Sequence, residues 1–251
     1  MLTRHRKQEI LSLLKSNGQV IAKEVSRSMG VSEDTIRRDL REMAHEGLLQ
    51  RVHGGALPAS PAMADFAGRE SITAEGKVAI GRVAAQMIRA GQVVILDGGT
   101  TSREIARHIP RDLKVTVVTH SPTIALELVN HPNAEVILIG GRMFKHSVVA
   151  VGAAAIEAIG NLHADIFFMG VTGVHPKTGL TTGDFEEAAV KRALSHAAAE
   201  TIVLASSEKL NAASPFAVIP LAEVSGIITE RGAAAALTRP YEKMKIPVTR
   251  A

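Results

Sequence analysis

The chain has 251 residues, of which 46% are hydrophobic and only 3% aromatic, with no tryptophan and no cysteine. A core of this composition is aliphatic, and the lack of cysteine excludes disulfides and thiolate metal sites. The net charge of +4 is uneven, because residues 1–57 hold ten Lys and Arg against seven Asp and Glu. This excess suits a polyanionic partner but is too small to establish one.

The ends and apolar runs of the chain bear on its compartment. The first ten residues, MLTRHRKQEI, are charged and lack the apolar core of a signal peptide. Apolar runs such as VVAVGAAAI are far shorter than the roughly 20 residues that span a bilayer. We therefore expect a protein of the reducing cytoplasm with no membrane partner.

Residues 1–57, which we call the head, predict three helices and a hairpin. The first helix covers about residues 3–15, and the second covers about residues 21–28 and ends at Gly30. Ser32 is the expected N-cap of the third helix, whose first turn contains two acids that suit the helix dipole. Two short extended runs within EGLLQRVHGGAL follow as a hairpin.

The third helix has two distinct faces. At about 100° per residue, Ile36, Leu40 and Met43 form one apolar stripe, and three arginines lie opposite. This pattern is typical of a helix-turn-helix whose third helix reads the major groove, with the hairpin as a wing. The predicted DNA-contacting residues are Ser32, Thr35, Arg37, Arg38, Arg41, Arg51 and His53.

An alternative is that the arginine face is a solvated surface with local pairs to Asp34 and Glu42. The three helix lengths, the glycine turn and the hairpin together favour DNA recognition over that interpretation. Asp39, in contrast, is interpreted as a structural partner for a neighbouring arginine rather than as a residue that reads bases.

The remainder of the chain predicts a linker and a larger domain. Residues 58–74 are rich in Ala, Pro and Ser with little periodicity, and are interpreted as a linker. Residues 75–251 begin with a helix at about 75–89, on which Met87 is expected to face inward, and then alternate short apolar strands with helices, one of them at 186–199. The strands are expected at 93–96, 115–118, 135–139, 166–170, 201–205 and 226–229. This alternation indicates a Rossmann-like α/β domain with a mostly parallel sheet.

The loop after the first of these strands is suited to an anion. The run VVILDGGTTSREIA joins a strand to a helix through glycines and hydroxyl side chains, so backbone and side-chain donors converge at a helix start. It matches neither the P-loop nor the G-x-G-x-x-G pattern, and an ordinary strand-to-helix turn is the alternative. The predicted phosphate cradle consists of Asp97, Gly98, Gly99, Thr100, Thr101 and Ser102.

Other loops at strand ends supply further candidate effector residues. Parallel strands place their carboxyl ends on one rim of the sheet, so charged residues in these loops are expected near the cradle. The candidates are His120, Arg142, Lys145, Glu187, Lys191 and Lys209. The histidines are too scattered to predict a metal site, and no cofactor is expected.

The ordered motifs resemble the DeoR family of bacterial transcription regulators. The resemblance is carried by Arg6, Ile10, Leu14 and SEDTIRRDL, and continues through LLQRVHGGA, GKVAIGRVAAQMI, LDGGTTS, LIGGRMFKHSVVAVG, FFMGVTGV and EEAAVKRAL. It implies a winged helix-turn-helix joined to a sensor domain similar to the ribose-5-phosphate isomerase and CoA-transferase fold.

The resemblance also implies that the cradle holds the phosphate of a sugar phosphate and that Lys191 and Lys209 face it. Two positions depart from the family pattern: His120 stands where Asn is frequent, and Ser206 stands where an Asp is usual. The departures concern the part of the effector beyond its phosphate.

Three functions remain open at this point. The favoured one is a repressor of a carbohydrate-utilisation operon, without enzymatic activity, that binds double-stranded operator DNA and a phosphorylated sugar. Because one small head makes few base contacts, a homo-oligomer (dimer or tetramer) is expected. The alternative is a sugar-phosphate isomerase with a DNA-binding head, which would use Asp97, Glu187 and Lys191; the absence of aspartates from GVTGVHPKTG speaks against it. A constitutive DNA-binding protein without effector is the third.

Overall fold

A computed structural model of the protein describes residues 2–251, so Met1 lies outside the described residues. The elements of the head are α1 Thr3–Asn17, β1 Val20–Ile21, α2 Ala22–Met29, α3 Glu33–His45, β2 Leu49–Val52 and β3 Gly55–Pro58. Strands β2 and β3 pair antiparallel as the predicted wing. Ile10, Ile36 and Met43 are fully buried at the centre of its aliphatic core.

The start of the second helix differs from the prediction. Ile21 is not helical but belongs to β1, which pairs antiparallel with β3 and makes the wing three-stranded. The two backbones approach so closely that a Cβ on Gly55 would lie 1.9 Å from the carbonyl oxygen of Val20. The second glycine of the HGGA run is therefore required by strand packing.

The larger unit is built on a seven-stranded sheet in which every strand pair is parallel. Its strands are β4 Val93–Leu96, β5 Val115–Thr119, β6 Ala134–Leu138, β9 Ala164–Gly170, β12 Ala198–Leu204, β14 Gly226–Thr229 and β15 Val248–Arg250. Their order is β15-β14-β12-β9-β4-β5-β6. The order runs outward in both directions from the β4–β9 pair, which is the topological switch point of the sheet.

Helices cover both faces of this sheet. They are α5 Ala74–Met87, α6 Thr100–His108, α7 Pro122–Leu128, α8 Ala153–Ile159, α9 Phe185–His196 and α10 Ala235–Lys243. Val94 and Leu96 of β4 face a core shared with α5, α6 and α7, whereas Ile95 faces the opposite core shared with α8, α9 and α10. The predicted parallel α/β domain is confirmed, with both sheet faces buried as such sheets require.

Shorter strands decorate the rim of the main sheet. One antiparallel pair joins β7 Arg142–Phe144 to β8 Val149–Val151. A second sheet has the order β10-β11-β13 and consists of β10 Gly173–His175, β11 Gly179–Thr182 and β13 Phe216–Ala217. The sequence predicts loops at these segments, because strands this short carry little alternation.

The predicted linker, residues 58–74, contains regular structure. A 3-10 turn covers Pro61–Met63, and the short helix α4 covers Phe66–Glu70. Ala59 bridges Ala213 of the larger unit, so this segment lies against the α/β unit. We call residues 59–73 the connector.

A few predicted details differ from the structure. Met87, expected to face inward, is 37% exposed. The helix predicted at 186–199 ends at His196, because β12 begins at Ala198. Strand β6 is an edge strand on which Leu138 is half exposed. Within residues 2–251, every helix is too short or too polar to cross a bilayer.

Candidate functional site

The third helix of the head presents the predicted polar face. Ser32 caps α3, since its Oγ accepts the backbone N–H of Thr35 at 3.2 Å. Ser32 Oγ and Thr35 Oγ1 also lie 2.8 Å apart. The cap fixes the start of α3 and thereby the direction in which the following arginines point.

The three arginines of α3 are exposed, but they differ in their partners. Arg37 donates from Nε and Nη2 to Glu33 at 3.1 and 2.7 Å. Arg38 and Arg41 have no ion pair within residues 2–251. The local pairs of the solvated-surface interpretation are thus limited to Arg37 and Glu33, while Glu42 pairs with Lys7 of α1 at 3.1 Å.

Asp39 has the structural role expected of it, although its partner is not on its own helix. The carboxylate is 1% exposed and accepts two hydrogen bonds from Arg6 of α1, one of them from Nη2 at 2.9 Å. The buried pair ties α1 to α3 and so sets how α3 projects from the head. On the wing, Arg51 and His53 are both exposed, as the DNA-binding prediction requires.

A cavity lies at the switch point of the seven-stranded sheet. Because neighbouring connections leave β4 and β9 in opposite directions, a crevice forms outside their carboxyl ends. The loops that follow β4, β9, β11 and β12 meet there with α5 and the connector. We call it the effector cavity because it is the candidate site for the predicted effector. The residues that line it are Ala62, Arg69, Ile72, Lys77, Gly98, Gly99, Thr100, Thr101, Ser102, Gly170, Val171, Thr172, Thr182, Glu187, Lys191, Glu208 and Lys209.

The predicted cradle forms one wall of the cavity. Gly99 has φ of 119° and ψ of 169° at the N-cap of α6, a conformation open to glycine alone among ordinary residues. The three hydroxyl residues that follow, residues 100–102, are buried in the first turn of α6. Free backbone N–H groups and hydroxyls at a helix start give this wall a positive potential.

Asp97 lies behind the cradle and does not line the cavity. Its Oδ1 accepts the Gly98 N–H at 2.8 Å, and its Oδ2 accepts the Gly170 N–H at 2.7 Å and the Lys191 ammonium at 2.5 Å. His120 Nε2 lies 2.9 Å from Oδ1. The carboxylate therefore holds the loops after β4 and β9 together and also positions Lys191.

The protonation of Asp97 follows from these contacts. Complete burial by itself would raise the pKa of Asp97, but the Lys191 ammonium and the His120 hydrogen bond outweigh it and lower the pKa to about 2. The carboxyl group is thus ionised throughout the physiological range. Burial opposes the charge of Lys191, yet Asp97 and Glu187 raise its pKa and keep it an ammonium.

Glu187 and Lys191 both reach the cavity from α9. Lys191 Nζ lies 3.3 Å from Glu187 Oε1, and the other oxygen, Oε2, accepts the Thr182 hydroxyl at 3.1 Å. Both side chains are buried and paired. A ligand in the cavity would meet Lys191 as a fixed donor whose charge two carboxylates already offset.

Lys209 and Lys77 bring two further cations into the cavity. Lys209 is 6% exposed, and burial lowers its pKa to about 8, with Glu208 opposing the decrease and Lys77 contributing to it. Burial likewise lowers the pKa of Lys77, whose Nζ donates to the carbonyl oxygen of Arg69. At a pKa of about 8, Lys209 is still mostly an ammonium at neutral pH, and a bound anion would raise that pKa.

Besides Asp97, three other predicted effector residues do not line the cavity. His120 is fully buried and bonds to Asp97 and to the carbonyl of Ala150. Arg142 is exposed on β7 and pairs with Glu186, and Lys145 is exposed in the β7–β8 turn. The β7–β8 turn itself lies beside the cavity, since Ser147 Oγ donates to Glu187 Oε2 at 3.4 Å, but Arg142 and Lys145 are exposed and do not line it.

Several cavity residues were missed by the sequence analysis. They are Arg69 of the connector, Lys77 of α5, Thr172, Thr182 and Glu208. Arg69 stands in a segment interpreted as a linker, and Lys77 stands in the GKVAIGRVAAQMI motif, which carried no signal for ligand binding. Only the position of Glu208 beside Lys209 offered a local signal. Residues 2–251 contain no cluster of His, Asp or Glu suited to a metal ion.

A winged head joined to a parallel α/β unit with a cation-lined cavity is the architecture of a DNA-binding protein that responds to a small ligand. The DeoR-like helix-turn-helix domain matches residues 6–61, and the DeoR C-terminal sensor domain matches residues 72–231. The chain therefore belongs to the DeoR family of transcriptional regulators, as the motif resemblance indicated.

Relatives of nearly equal length share this assignment. The HTH-type transcriptional regulator GlpR of Haloferax volcanii is 35% identical over 92% of this chain and 91% of that protein. The HTH-type transcriptional repressor GlcR of Bacillus subtilis is 32% identical over 92% of this chain and 90% of that protein. Both alignments extend across the head and the sensor domain.

Among solved structures, the chain is similar to ribose 5-phosphate isomerase A of Methanocaldococcus jannaschii. The TM-score is 0.40 and the identity 17%, over 53% of this chain and 52% of that chain. This likeness concerns the fold alone.

Proposed function

We propose that the protein represses a carbohydrate-utilisation operon by binding operator DNA through its head, and that a phosphorylated sugar or related metabolite bound in the effector cavity controls this binding. The observation that carries the proposal is the cavity itself. A helix start lined with hydroxyls faces the cations Lys77, Lys191 and Lys209 at the switch point of the sheet.

The charges of the cavity favour a dianion over a neutral sugar. Lys191 is offset by Asp97 and Glu187, whereas the Lys209 ammonium has no hydrogen bond or ion pair within residues 2–251. Glu208 offsets part of this charge from a distance, but burial of an ammonium without a direct partner costs free energy, which an anionic ligand would recover. A phosphate monoester carries nearly two charges at neutral pH and three acceptor oxygens, so it matches both the cations and the hydroxyls.

The DNA-binding half of the proposal depends on α3 and the wing. Arg38 and Arg41 are exposed beside Thr35, and Arg51 and His53 project from the wing. Guanidinium groups suit both guanine edges and phosphates, so these five side chains are the proposed contacts, together with Ser32 and Arg37. The name of the relative GlcR, a transcriptional repressor, supports repression as the direction of control.

The protein is further proposed to act as a homo-oligomer in the cytoplasm. One head offers a single short reading helix, so a dimer or tetramer on repeated half-sites would supply the affinity that one head lacks. We expect it to have no membrane partner.

The competing function, a sugar-phosphate isomerase, requires a carboxylate free to remove a proton from a bound sugar. Asp97 is sealed behind the cradle, and Glu187 is held by Lys191 and Thr182. Neither carboxylate is therefore placed as a general base, and we propose that the protein is not an enzyme. Turnover of a pentose or hexose phosphate by the pure protein, lost in Glu187→Gln, would reverse this conclusion.

The experiment that tests the proposal begins with selection of the genomic fragments that the full-length protein retains at moderate salt. The enriched site is then used in a footprint with a panel of phosphorylated sugars. We expect one sequence to be protected and at least one member of the panel to release it. Equal retention of all fragments would refute sequence-specific regulation.

Two variants assign the response to the cavity. Thr100→Asp should bind the operator normally but lose the release, because the new carboxylate repels a phosphate at the start of α6. Thr249→Asp, which adds the same charge at an exposed position of β15, should respond as the wild type does. A normal response in Thr100→Asp would place the phosphate elsewhere.

A further inference from the structure

The connector packs against the α/β unit beside the effector cavity and is not a free linker between the head and that unit. Arg103 of α6 contacts α4 twice: its guanidinium lies 5.3 Å from the ring centroid of Phe66, and Nη2 lies 2.6 Å from Glu70 Oε1. The Phe66 N–H also donates to the carbonyl of His146 at 2.8 Å. Helix α4 is therefore held against the first turns of the cradle helix.

The far end of the connector is anchored beside the buried lysines. Thr73 has φ of 48°, an uncommon conformation for a β-branched residue, and its hydroxyl donates to Glu208 at 2.9 Å. Such strain persists only where the surroundings impose it, and it is frequent at ligand clamps. The two anchors leave one side chain of α4, Arg69, directed into the cavity.

Within residues 2–251, Arg69 is a connector residue whose side chain has buried donors without hydrogen-bond acceptors. Its Nε and Nη2 are buried and have no hydrogen-bond partner within residues 2–251, and the same is true of Ser102 Oγ in the cradle. Arg69 and Ser102 both line the effector cavity. Burial lowers the pKa of Arg69, and Glu187 and Asp97 are close enough to oppose that change. A guanidinium buried in this way is costly unless an acceptor arrives.

We propose that Arg69 is a ligand of the effector's phosphate, so that the connector itself reads the occupancy of the cavity. The inference rests on the proposed function, because it concerns the same cavity. Arg69 would donate from Nε and Nη2 to two phosphate oxygens, the paired geometry in which guanidinium and phosphate are complementary.

The position of Arg69 in the chain gives this contact a regulatory consequence. The connector continues directly from wing strand β3, so tightening α4 onto a bound phosphate acts on the segment that leads to the head. A ligand shifts the arrangement of the heads only by its different affinity for the two arrangements. A hydrogen bond from the connector to the phosphate supplies such a difference in affinity, because the connector leads to the head. Hydrogen bonds from the cradle alone do not.

The test compares full-length wild type with Arg69→Gln, Arg69→Lys and the control Arg239→Gln, which removes an exposed charge from α10 outside the cavity. Inorganic phosphate is the probe, titrated at neutral pH by calorimetry. We expect Arg69→Gln to bind phosphate about ten- to a hundredfold more weakly, Arg69→Lys to fall between, and Arg239→Gln to match the wild type.

Melting temperature without phosphate separates a ligand role from a structural one. Because Arg69 Nε and Nη2 have no hydrogen-bond partner in the described part of the chain, residues 2–251, Arg69→Gln should melt at or above the wild-type temperature. A clear decrease would mean that the arginine stabilises the fold, and it would overturn the proposal.

Hydrogen exchange locates the contact. In the wild type, phosphate should slow exchange in residues 98–102 and in residues 60–72; in Arg69→Gln it should slow exchange in residues 98–102 only. Unchanged phosphate affinity and connector protection in Arg69→Gln would refute the role of Arg69 while leaving the cradle intact. Lack of protection at residues 98–102 in the wild type would instead refute the phosphate cradle of the proposed function, and the inference with it.

Discussion

Asp97→Asn should strongly destabilise the sensor domain, although it replaces a single oxygen atom by an NH2 group. The fully buried carboxylate accepts from Gly98, Gly170 and Lys191 and contacts His120. An asparagine of the same shape would turn an NH2 group toward at least one of these donors and leave the Lys191 ammonium without half of its countercharge. Breaking a buried ion pair in this way costs about 3–5 kcal/mol.

The expected loss translates into a measurable melting shift. For a domain of roughly 150–250 residues, 1 kcal/mol changes the melting temperature by about 2–4 °C, so Asp97→Asn should lower it by about 6–20 °C. The control is Asp165→Asn, because exposed Asp165 also accepts a backbone N–H, that of Val93 at 2.7 Å. That single bond is worth about 1 kcal/mol.

Acid titration provides a second measurement of the same group. The folded-state pKa of Asp97 is about 2, below the ordinary value of 3.8, so its stabilising effect is complete above pH 4 and is lost as the pH falls to 2. The difference is worth about 2 kcal/mol. Wild type should lose this increment between pH 4 and 2, and Asp97→Asn should not. If Asp97→Asn and Asp165→Asn had the same melting temperature within error, the contacts of Asp97 would not be what holds the cradle in place.

The remaining predictions concern the head and Lys209. Arg38→Ala should abolish sequence-specific binding without changing the melting curve, and an unchanged footprint would exclude this side chain as a base reader. Asp39→Ala removes the buried countercharge of Arg6 and should destabilise the head by about 3–5 kcal/mol, measured by denaturant unfolding; a loss equal to that of Glu33→Ala, whose pair is exposed, would contradict this. The pKa of Lys209 is about 8 in the folded state against 10.5 in the unfolded state, so the free energy of unfolding without ligand should rise as the pH increases from 8 toward 10. Phosphate affinity, measured by calorimetry, should fall over the same range. A constant affinity would show that Lys209 does not contact the phosphate.

Much of the architecture is readable from local pattern. The stripe of Ile36, Leu40 and Met43, the cap at Ser32 and the alternation of strands with helices all report contacts within a few residues of the chain, and the structure has the corresponding elements. The cradle was found for the same reason, because a strand, a glycine turn and a helix start are contiguous in sequence.

Other features could not be read, because they join residues that are distant in sequence. Arg6 meets Asp39 across 33 positions, and Lys191 meets Asp97 across 94. Arg69 carries no motif of its own, and its segment has the composition of a linker. Only the packing of α4 against α6 brings its side chain to the cavity.

The sequence by itself therefore determined the family, the class of fold, the helix-turn-helix with its candidate reading helix, and the phosphate-suited loop, since each is encoded by spacing within one segment. Tertiary structure decided which charges surround that loop. It leaves His120, Arg142 and Lys145 outside the cavity lining, places Asp97 behind the cradle and brings Arg69 and Lys77 into the lining, because burial and ion pairing depend on how the strands are ordered in the sheet rather than on neighbours along the chain.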